Sequence, residues 1–273
     1  MYEITEKKVL SETVKLMKIK APLVAKKAQP GQFIILRIDE NGERIPLTIA
    51  DYDREKGTVT VIFMEVGKTT RQLGKMKVGD SLLNFAGPLG VPSEIKKYGT
   101  VVMIGGGVGI APLYPIVREL KKIGNHVISI LGARNEKLLM LEKEIDEYSD
   151  ELFITTDDGS KGQKGFVSDI LQRLIDEGRK INMVMAIGPV IMMKVVADVT
   201  RLHKIKTLVS LNPIMVDGTG MCGGCRVSIG NETKFACVDG PEFDGHLVDF
   251  DNLMLRNRRF LCQEEEACNC AGV

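Results

Sequence analysis

Cysteine chemistry is confined to one end of this chain. All six cysteines lie after residue 221, and three of them, Cys222, Cys225 and Cys237, share one glycine-rich stretch, DGTGMCGGCRVSIGNETKFACVDG at 217–240. Thiolates are soft ligands that suit iron–sulfur clusters and zinc, and such sites usually take four protein ligands. The spacing here, C-x2-C-x11-C, is one ligand short. Plant-type two-iron loops use C-x4-C-x2-C with a distant fourth cysteine. Asp217 occupies the position of that first cysteine, so the loop reads D-x4-C-x2-C-x11-C. A carboxylate is a harder donor than a thiolate; as fourth ligand it would change a cluster's potential and loosen its hold. Gly218, Gly220, Gly223 and Gly224 would let the loop wrap tightly and aim N–H groups at sulfur. Two other arrangements use the same residues. Zinc accepts three cysteines and an aspartate, and Asp217 could shape a turn while water or a tail cysteine completes the set. Cys262, Cys268 and Cys270, in CQEEEACNC, lack regular spacing. They read as part of a polar tail lying against a partner, or as a second metal site shared with another subunit.

Phosphate chemistry is signalled upstream by GGGVGIAP at 105–112, between an apolar run and an amphipathic one. Glycine lets the backbone approach a pyrophosphate, and a helix N-terminus offers free N–H groups and positive dipole. Gly105, Gly107 and Gly109 form the turn, Ile110 takes the third glycine position of G-x-G-x-x-G, and Ala111 and Pro112 open the helix. A plain glycine-rich turn also fits that motif alone. TTDDGSKGQKG at 155–165 puts Asp157 and Asp158 where an open α/β sheet lines its crevice, although both are ordinary turn formers. IGPVIMMK at 187–194 repeats the strand–turn–helix layout around Gly188 and Pro189, with Met192 and Met193 read as core. GKTT at 67–70 looks like half a P-loop, but its glycine-rich lead is absent and that reading fails. Arg44, after an NGE turn, reads in isolation as a surface charge.

The elements that must hold these residues follow from patterning. The chain has 273 residues, 44% hydrophobic and 27% charged, with net charge +1. That is globular composition with no basic field for nucleic acid, and no apolar run approaches the ~20 residues of a membrane span. Six cysteines without an export signal point to a reducing compartment, the cytoplasm. Residues 1–98 read as β, with strand-length runs TVKLMKIKAP, QFIILRI, GTVTVIFMEV and SLLNFAGPLG bounded by turn formers, which suits a small barrel. From 99 to 212, strands and helices alternate. TVVMIGGG, HVISILGAR, ELFITTDDG, MVMAIGP and KTLVSLN read as strands; APLYPIVRELKKIG, LLMLEKEIDEYS, FVSDILQRLIDEG and VIMMKVVADVTRLH read as helices. This predicts a doubly wound parallel sheet. The cysteine-loop segment at 213–250 and a polar tail at 251–273 complete the division.

Taken in order, RIPLT (44–48), GKTT (67–70), GGGVGIAP, TDDGSKG (156–162), IGP (187–189) and the cysteine loop resemble the ferredoxin–NADP reductase superfamily. Within it, the chain is similar to dihydroorotate dehydrogenase electron-transfer subunits. It is more similar still to the small subunits of electron-bifurcating NADH-dependent reduced ferredoxin:NADP oxidoreductases, also described as part of sulfide dehydrogenase. The resemblance spans about residues 1–250. It implies a six-stranded antiparallel FAD barrel, an NAD(P) domain and a [2Fe-2S] lobe. Carried over, Arg44 binds an FAD phosphate. Pro46, Leu47 and Thr48 line the isoalloxazine, with Thr48 near the flavin N5, and Gly67, Lys68, Thr69 and Thr70 hold the pyrophosphate. Asp217, Cys222, Cys225 and Cys237 ligate the cluster. Two departures stand out. Many relatives carry Cys before Gly-Pro, whereas Ala186 and Ile187 stand here. Arg134, in LGAR, can accept the 2′-phosphate of NADP(H), yet NAD-using relatives share it, so NAD(H) is expected and NADP(H) stays open. The implied activity passes electrons between NAD(H), FAD and the cluster to a larger flavin and [4Fe-4S] subunit in a heterodimer, and indirectly to ferredoxin. A dihydroorotate dehydrogenase electron-transfer subunit is the alternative, and a redox-sensing module without turnover is a reading of a different class.

Overall fold

The structure, a computed structural model, describes residues 1–270, without the side chains of 265 and 267–270 in its last helix. Its first unit is an antiparallel sheet of β1 (Tyr2–Val9), β2 (Val14–Lys20), β3 (Phe33–Arg37), β4 (Ile45–Asp53), β5 (Thr58–Met64), β6 (Ser81–Leu82) and β7 (Asn84–Leu89). The order is β6-β1-β2-β5-β4-β3-β7. The two edge strands are consecutive in sequence, separated only by Leu83, whose N–H donates to the carbonyls of Arg37 and Ile38. One segment therefore stitches both edges and leaves a nearly closed barrel, which removes most exposed strand edge. The resemblance implies six strands; the seventh is the two-residue β6, paired with Tyr2 and Glu3. Ile4, Met17, Ile19, Ile34, Leu36, Val59, Val61 and Phe63 fill the interior. Two short helices were not expected. α1 (Pro22–Lys27) starts on a proline, suited to the first turn, and buries Val24 and Ala25. α2 (Lys68–Lys75) buries Thr69, Leu73 and Gly74.

The second unit is a sheet in the order β11-β10-β9-β8-β12-β13-β16, built from β8 (Thr100–Gly106), β9 (His126–Ala133), β10 (Glu151–Thr156), β11 (Gln163–Lys164), β12 (Met183–Ile187), β13 (Lys206–Ser210) and β16 (Glu242–Asp244). Every pairing is parallel except that of β13 with β16. The strand order runs outward in both directions from β8 and β12, which makes the gap between them the switch point of a doubly wound sheet. Alternation along β8 sends Val101 and Met103 to the face covered by α3 (Ile110–Lys122) and α4 (Glu142–Asp146). Val102 and Ile104 go to the face of α5 (Val167–Asp176) and α6 (Val190–Leu202). The expected helix over 138–149 is a correction. Residues 136–138 form a 3-10 turn, Leu139 and Met140 are buried in an extended segment, and Leu141 takes φ 54 before the five-residue α4 begins.

Between β13 and β16 the chain leaves the sheet to form the cysteine loop and a hairpin of β14 (Arg226–Ile229) and β15 (Glu232–Phe235). The expected tail begins instead as α7 (Phe250–Asn257), capped by Asp249 on the N–H of Asn252, with Phe250 and Leu253 buried. α8 (Leu261–Cys270) follows. No described helix is long and apolar enough to cross a membrane.

Candidate functional site

The flavin-motif strand lies where three units meet. β4 pairs with β3 in the register Phe33–Thr48, Ile34–Leu47 and Ile35–Pro46. On one side, Ala50 of β4 and Ile62 of β5 share a core with Ile110, Ala111 and Leu113 of α3. On the other, Phe33 and Ile35 of β3 share a core with Met215, Cys225, Ala236 and Cys237. Arg118 of α3 pairs with Asp51 of β4 at 2.9 Å, so the first seam is charged as well as apolar. The GKTT motif forms the first turn of α2. Gly67 is its N-cap, and the Thr70 hydroxyl accepts the N–H groups of Val66 and Gly67, both at 3.1 Å. Thr69 is buried and donates to the Glu43 carboxylate, one residue before Arg44, so RIPLT and GKTT are adjacent. With both hydroxyls engaged, a diphosphate would meet main-chain N–H groups and the exposed ammonium of Lys68.

At the switch point the glycines bring two loops into backbone contact. A Cβ on Gly109 would lie 2.3 Å from the Ile187 carbonyl oxygen, and one on Gly188 3.1 Å from the Gly106 Cα. Gly107 has φ 55, a conformation glycine adopts at little cost. Gly105 is the last but one residue of β8, and Ile110 and Ala111 are buried in the α3 core, so what 105–112 offers a ligand is main chain. Pro112 sits in the first turn of α3, and Pro189 is the N-cap residue of α6. Met193 is fully buried and Met192 packs partly buried against the same core, as expected; Met192 also lies over both loops, its sulfur 2.4 Å from where a Gly106 Cβ would stand. Arg134 is exposed at the end of β9, and its carbonyl accepts the Asp158 N–H at 3.3 Å. Asp157 and Asp158 are exposed at the end of β10. The Asp158 carboxylate accepts the Ser160 hydroxyl (2.6 Å) and N–H (2.9 Å), which hold it below the usual carboxylate range.

In the cysteine loop, Cys225 and Cys237 are buried with sulfurs 3.2 Å apart, while Cys222 is exposed and its sulfur accepts the Gly224 N–H at 3.4 Å. Burial, then the Cys225 thiol, pushes the Cys237 thiol up to about 12. A metal must displace its proton. Asp217 turns inward on its own loop. Its oxygens accept the N–H groups of Thr219 (2.8 Å) and Cys222 (2.7 Å), which hold it below the usual carboxylate range. Two oxygens carry about four lone-pair sites, so these bonds leave capacity for a metal. Among the described residues no three His, Cys, Asp or Glu side chains converge as a finished metal site. The donor set nevertheless fits iron: soft thiols, one carboxylate, and Gly218, Gly220 and Gly223 all at positive φ. Cys262 is exposed; the side chains of Cys268 and Cys270 lie outside the described residues.

Comparison with known proteins agrees with this layout. Residues 212–249 match the iron–sulfur cluster binding domain of dihydroorotate dehydrogenase B, 103–198 an oxidoreductase NAD-binding domain, and 1–92 an oxidoreductase FAD-binding domain. A dihydroorotate dehydrogenase B (NAD(+)) electron transfer subunit homolog of Thermotoga maritima is 50% identical over 96% of this chain and 93% of its own length. The corresponding subunit of Desulforamulus reducens is 37% identical over 83% and 89%. The chain belongs to the dihydroorotate dehydrogenase B electron-transfer subunit family. As a member it is an NAD(P)H-dependent flavin and iron–sulfur oxidoreductase subunit, and a subunit of this family works with a partner. An uncharacterized protein in the adh 3′ region of Clostridium beijerinckii is 52% identical over 98% and 93%. A structure described as giving insights into flavin-based electron bifurcation, that of NADH-dependent reduced ferredoxin-NADP oxidoreductase, superposes with TM-score 0.94 at 47% identity. It covers 98% of this chain and 96% of its own. The ferredoxin reductase of carbazole 1,9a-dioxygenase, at 18% identity and TM-score 0.64, shares the fold alone.

Sequence reasoning missed several residues of this region. Glu242 of β16 accepts a hydrogen bond from Ser93, in the linker after β7, at the junction of barrel, sheet and lobe. Burial pushes its carboxyl up to about 7. Arg256 and Arg259 donate to the Gly224 carbonyl at 3.4 and 3.0 Å, and Arg44 donates to the carbonyls of Val216 (3.0 Å) and Asp217 (3.4 Å). These are contacts between residues far apart in the chain, and no local spacing announces them. Thr200, His246 and Asp244 superficially resemble a hydrolytic triad. The Thr200 hydroxyl is fully buried and bonded to the carbonyls of Val196 and Ala197, so the group staples α6 to the sheet.

Proposed function

We propose that the chain is the NAD(H)-side electron-transfer subunit of a ferredoxin/NADP oxidoreductase (transhydrogenase) complex. The observation that carries this reading is the superposition on the bifurcating oxidoreductase, which extends through barrel, sheet and cluster lobe alike. When bound, FAD and a [2Fe-2S] cluster supply two-electron exchange with the nicotinamide and one-electron exchange with a partner. The protein supplies distance and orientation. The backbone of 105–112, with Gly188 and Pro189, binds the dinucleotide. Arg134 faces its ribose, with NAD(H) expected and NADP(H) possible, and Asp157 and Asp158 border the crevice. Pro46, Leu47 and Thr48 would hold the flavin ring, with Thr48 expected near its reacting nitrogen; Arg44 and residues 67–70 would hold the diphosphate. Asp217, Cys222, Cys225 and Cys237 hold the cluster. The partner is a larger flavin and [4Fe-4S] subunit in a heterodimer that deals with NADP(H) and ferredoxin. Free thiols among the described residues support a reducing, cytoplasmic setting. We take residues 1–98, 99–212, 213–250 and 251–273 as the functional division; α7 packs on β14 of the lobe and on α6.

The purified chain should show flavin and iron–sulfur absorbance that NADH bleaches; a colourless protein containing only zinc would sink the reading. EPR of the reduced Asp217→Cys variant tests ligation, since an unchanged spectrum and potential would exclude Asp217. The names of several relatives favour a second reading, a subunit serving dihydroorotate oxidation. Co-purification of the partner separates the two.

A further inference from the structure

The cysteine loop stands on the barrel, and its foot is tight. Gly218 has φ 77, and a Cβ there would lie 2.7 Å from Leu89 Cδ1 and 2.8 Å from Ile35 Cγ1. Ile35 pairs with Pro46, two residues after Arg44. From that strand edge the Arg44 guanidinium spans 172 residues of sequence. Its Nε donates to the Val216 carbonyl at 3.0 Å and its Nη2 to the Asp217 carbonyl at 3.4 Å. A planar fork engages two successive carbonyls, which a lysine point charge does not reproduce. The adjacent Glu43 accepts from Thr69 in the GKTT turn, so consecutive residues brace the two loops expected to hold flavin and cluster.

The same polarity recurs across the loop. Arg256 and Arg259 take the Gly224 carbonyl from the side of α7. A carbonyl held by an arginine turns the N–H of its own planar peptide unit, here those of Asp217, Gly218 and Cys225, the opposite way. Both carboxylate oxygens of Asp217 are fixed by loop N–H groups, those of Thr219 and Cys222, so the carboxylate points where its main chain points. Arg44 holds that main chain.

We propose that Arg44 is a positioning residue for the iron–sulfur loop, clamping the carbonyls of Val216 and Asp217 to the flavin-motif strand and placing a fixed positive charge beside the cluster. The inference deepens the electron-transfer reading and rests on it. A cation near the cluster favours the reduced state, which carries more negative charge, and raises its potential. Arg44 would then join the two cofactor sites mechanically and electrostatically, in addition to the flavin-phosphate role expected from the sequence.

The test follows the EPR signal of the cluster itself through a redox titration of the full-length protein, with iron and flavin content measured on the same samples. Wild type, flavin-depleted wild type, Arg44→Gln and Arg44→Lys are compared. The expected result is a lower midpoint potential and altered g-values in Arg44→Gln, and a smaller shift in Arg44→Lys, which keeps the charge but loses the fork. A normal cluster spectrum and potential in Arg44→Gln, with only flavin lost, would overturn the proposal. So would a shift that flavin-depleted wild type reproduces in full. Should Arg44→Gln fail to fold, Arg44→Lys decides: a spectrum and potential identical to wild type, or a shift that flavin-depleted wild type reproduces in full, overturn the proposal, and a shift beyond that of flavin-depleted wild type supports it. Wild-type protein that never binds iron would instead fail the electron-transfer reading.

Discussion

The nucleotide crevice and the cysteine loop are both glycine-rich, yet they are held by different forces. At the crevice, Gly109 presses on the Ile187 carbonyl and Gly188 on Gly106, so the geometry is set by main chain touching main chain. In the cysteine loop, the carbonyls of Val216, Asp217 and Gly224 are taken by arginines from two other parts of the fold, and a carboxylate organises the turn from within. The first region responds to added atoms, the second to removed charges. A steric site stays rigid across pH and salt, whereas one built on ionic side chains can be tuned, which suits a redox centre.

The largest expected effect breaks the steric side. Gly109→Ala puts a carbon 2.3 Å from a carbonyl oxygen that cannot step aside. A displacement of about 1 Å at the nicotinamide should lower kcat/KM for NADH at least about 100-fold, while iron content and the cluster EPR signal stay near wild type. Equal loss of both would mean that the two regions are not separable. The seam between them comes next. The Glu242 carboxyl is raised to about 7 from its ordinary 4.5. The folded state therefore binds the proton more tightly than the unfolded chain does. This stabilisation is full below about 4.5, is lost as pH rises to about 7, and stays constant above, with a ceiling of about 3 kcal/mol. Thermal unfolding across this range should show the decline, and Glu242→Gln should flatten it. Gly218→Ala sharpens the comparison, because it is a steric insult to the otherwise ionic loop. Overpacking and a positive φ should cost about 1–3 kcal/mol and lower iron content with little change in NADH affinity, measured by denaturant melts and iron assay. The smallest effect is Thr70→Ala, which removes the reach-back hydrogen bonds from Val66 and Gly67 at the start of α2 and should cost about 1 kcal/mol, visible as a lower midpoint and, on the proposed reading, weaker FAD retention.

Legibility in the sequence followed the range of the forces involved. β8, α3 and β9 were readable because Val101, Met103, Leu113, Ile116, Val117 and Leu120 carry the periods of strand and helix. Gly105 to Pro112 and Asp217 to Cys237 were readable as motifs. α2 is not announced by the GKTT motif, since only the backward reach of the Thr70 hydroxyl to the N–H groups of Gly67 and Val66 fixes its first turn. The segment 138–141 is a short apolar run that reads as the start of a helix, yet Leu139 and Met140 reach the core from non-helical chain. The attachment of Arg44 to the cysteine loop was illegible because its acceptors are main-chain carbonyls, which every residue possesses.

β16 returns the chain from the cluster lobe to the sheet it left at β13, pairing Val209 with Phe243. The lobe is thus an excursion whose two feet stand on neighbouring strands, about 4.8 Å apart. A module hung from a single linker can swing; one pinned at both ends on a sheet edge cannot be deleted or repositioned without unzipping that edge. Any gating of electron flow through the loop must come from what approaches it, since the tether fixes the gap on the protein's own side.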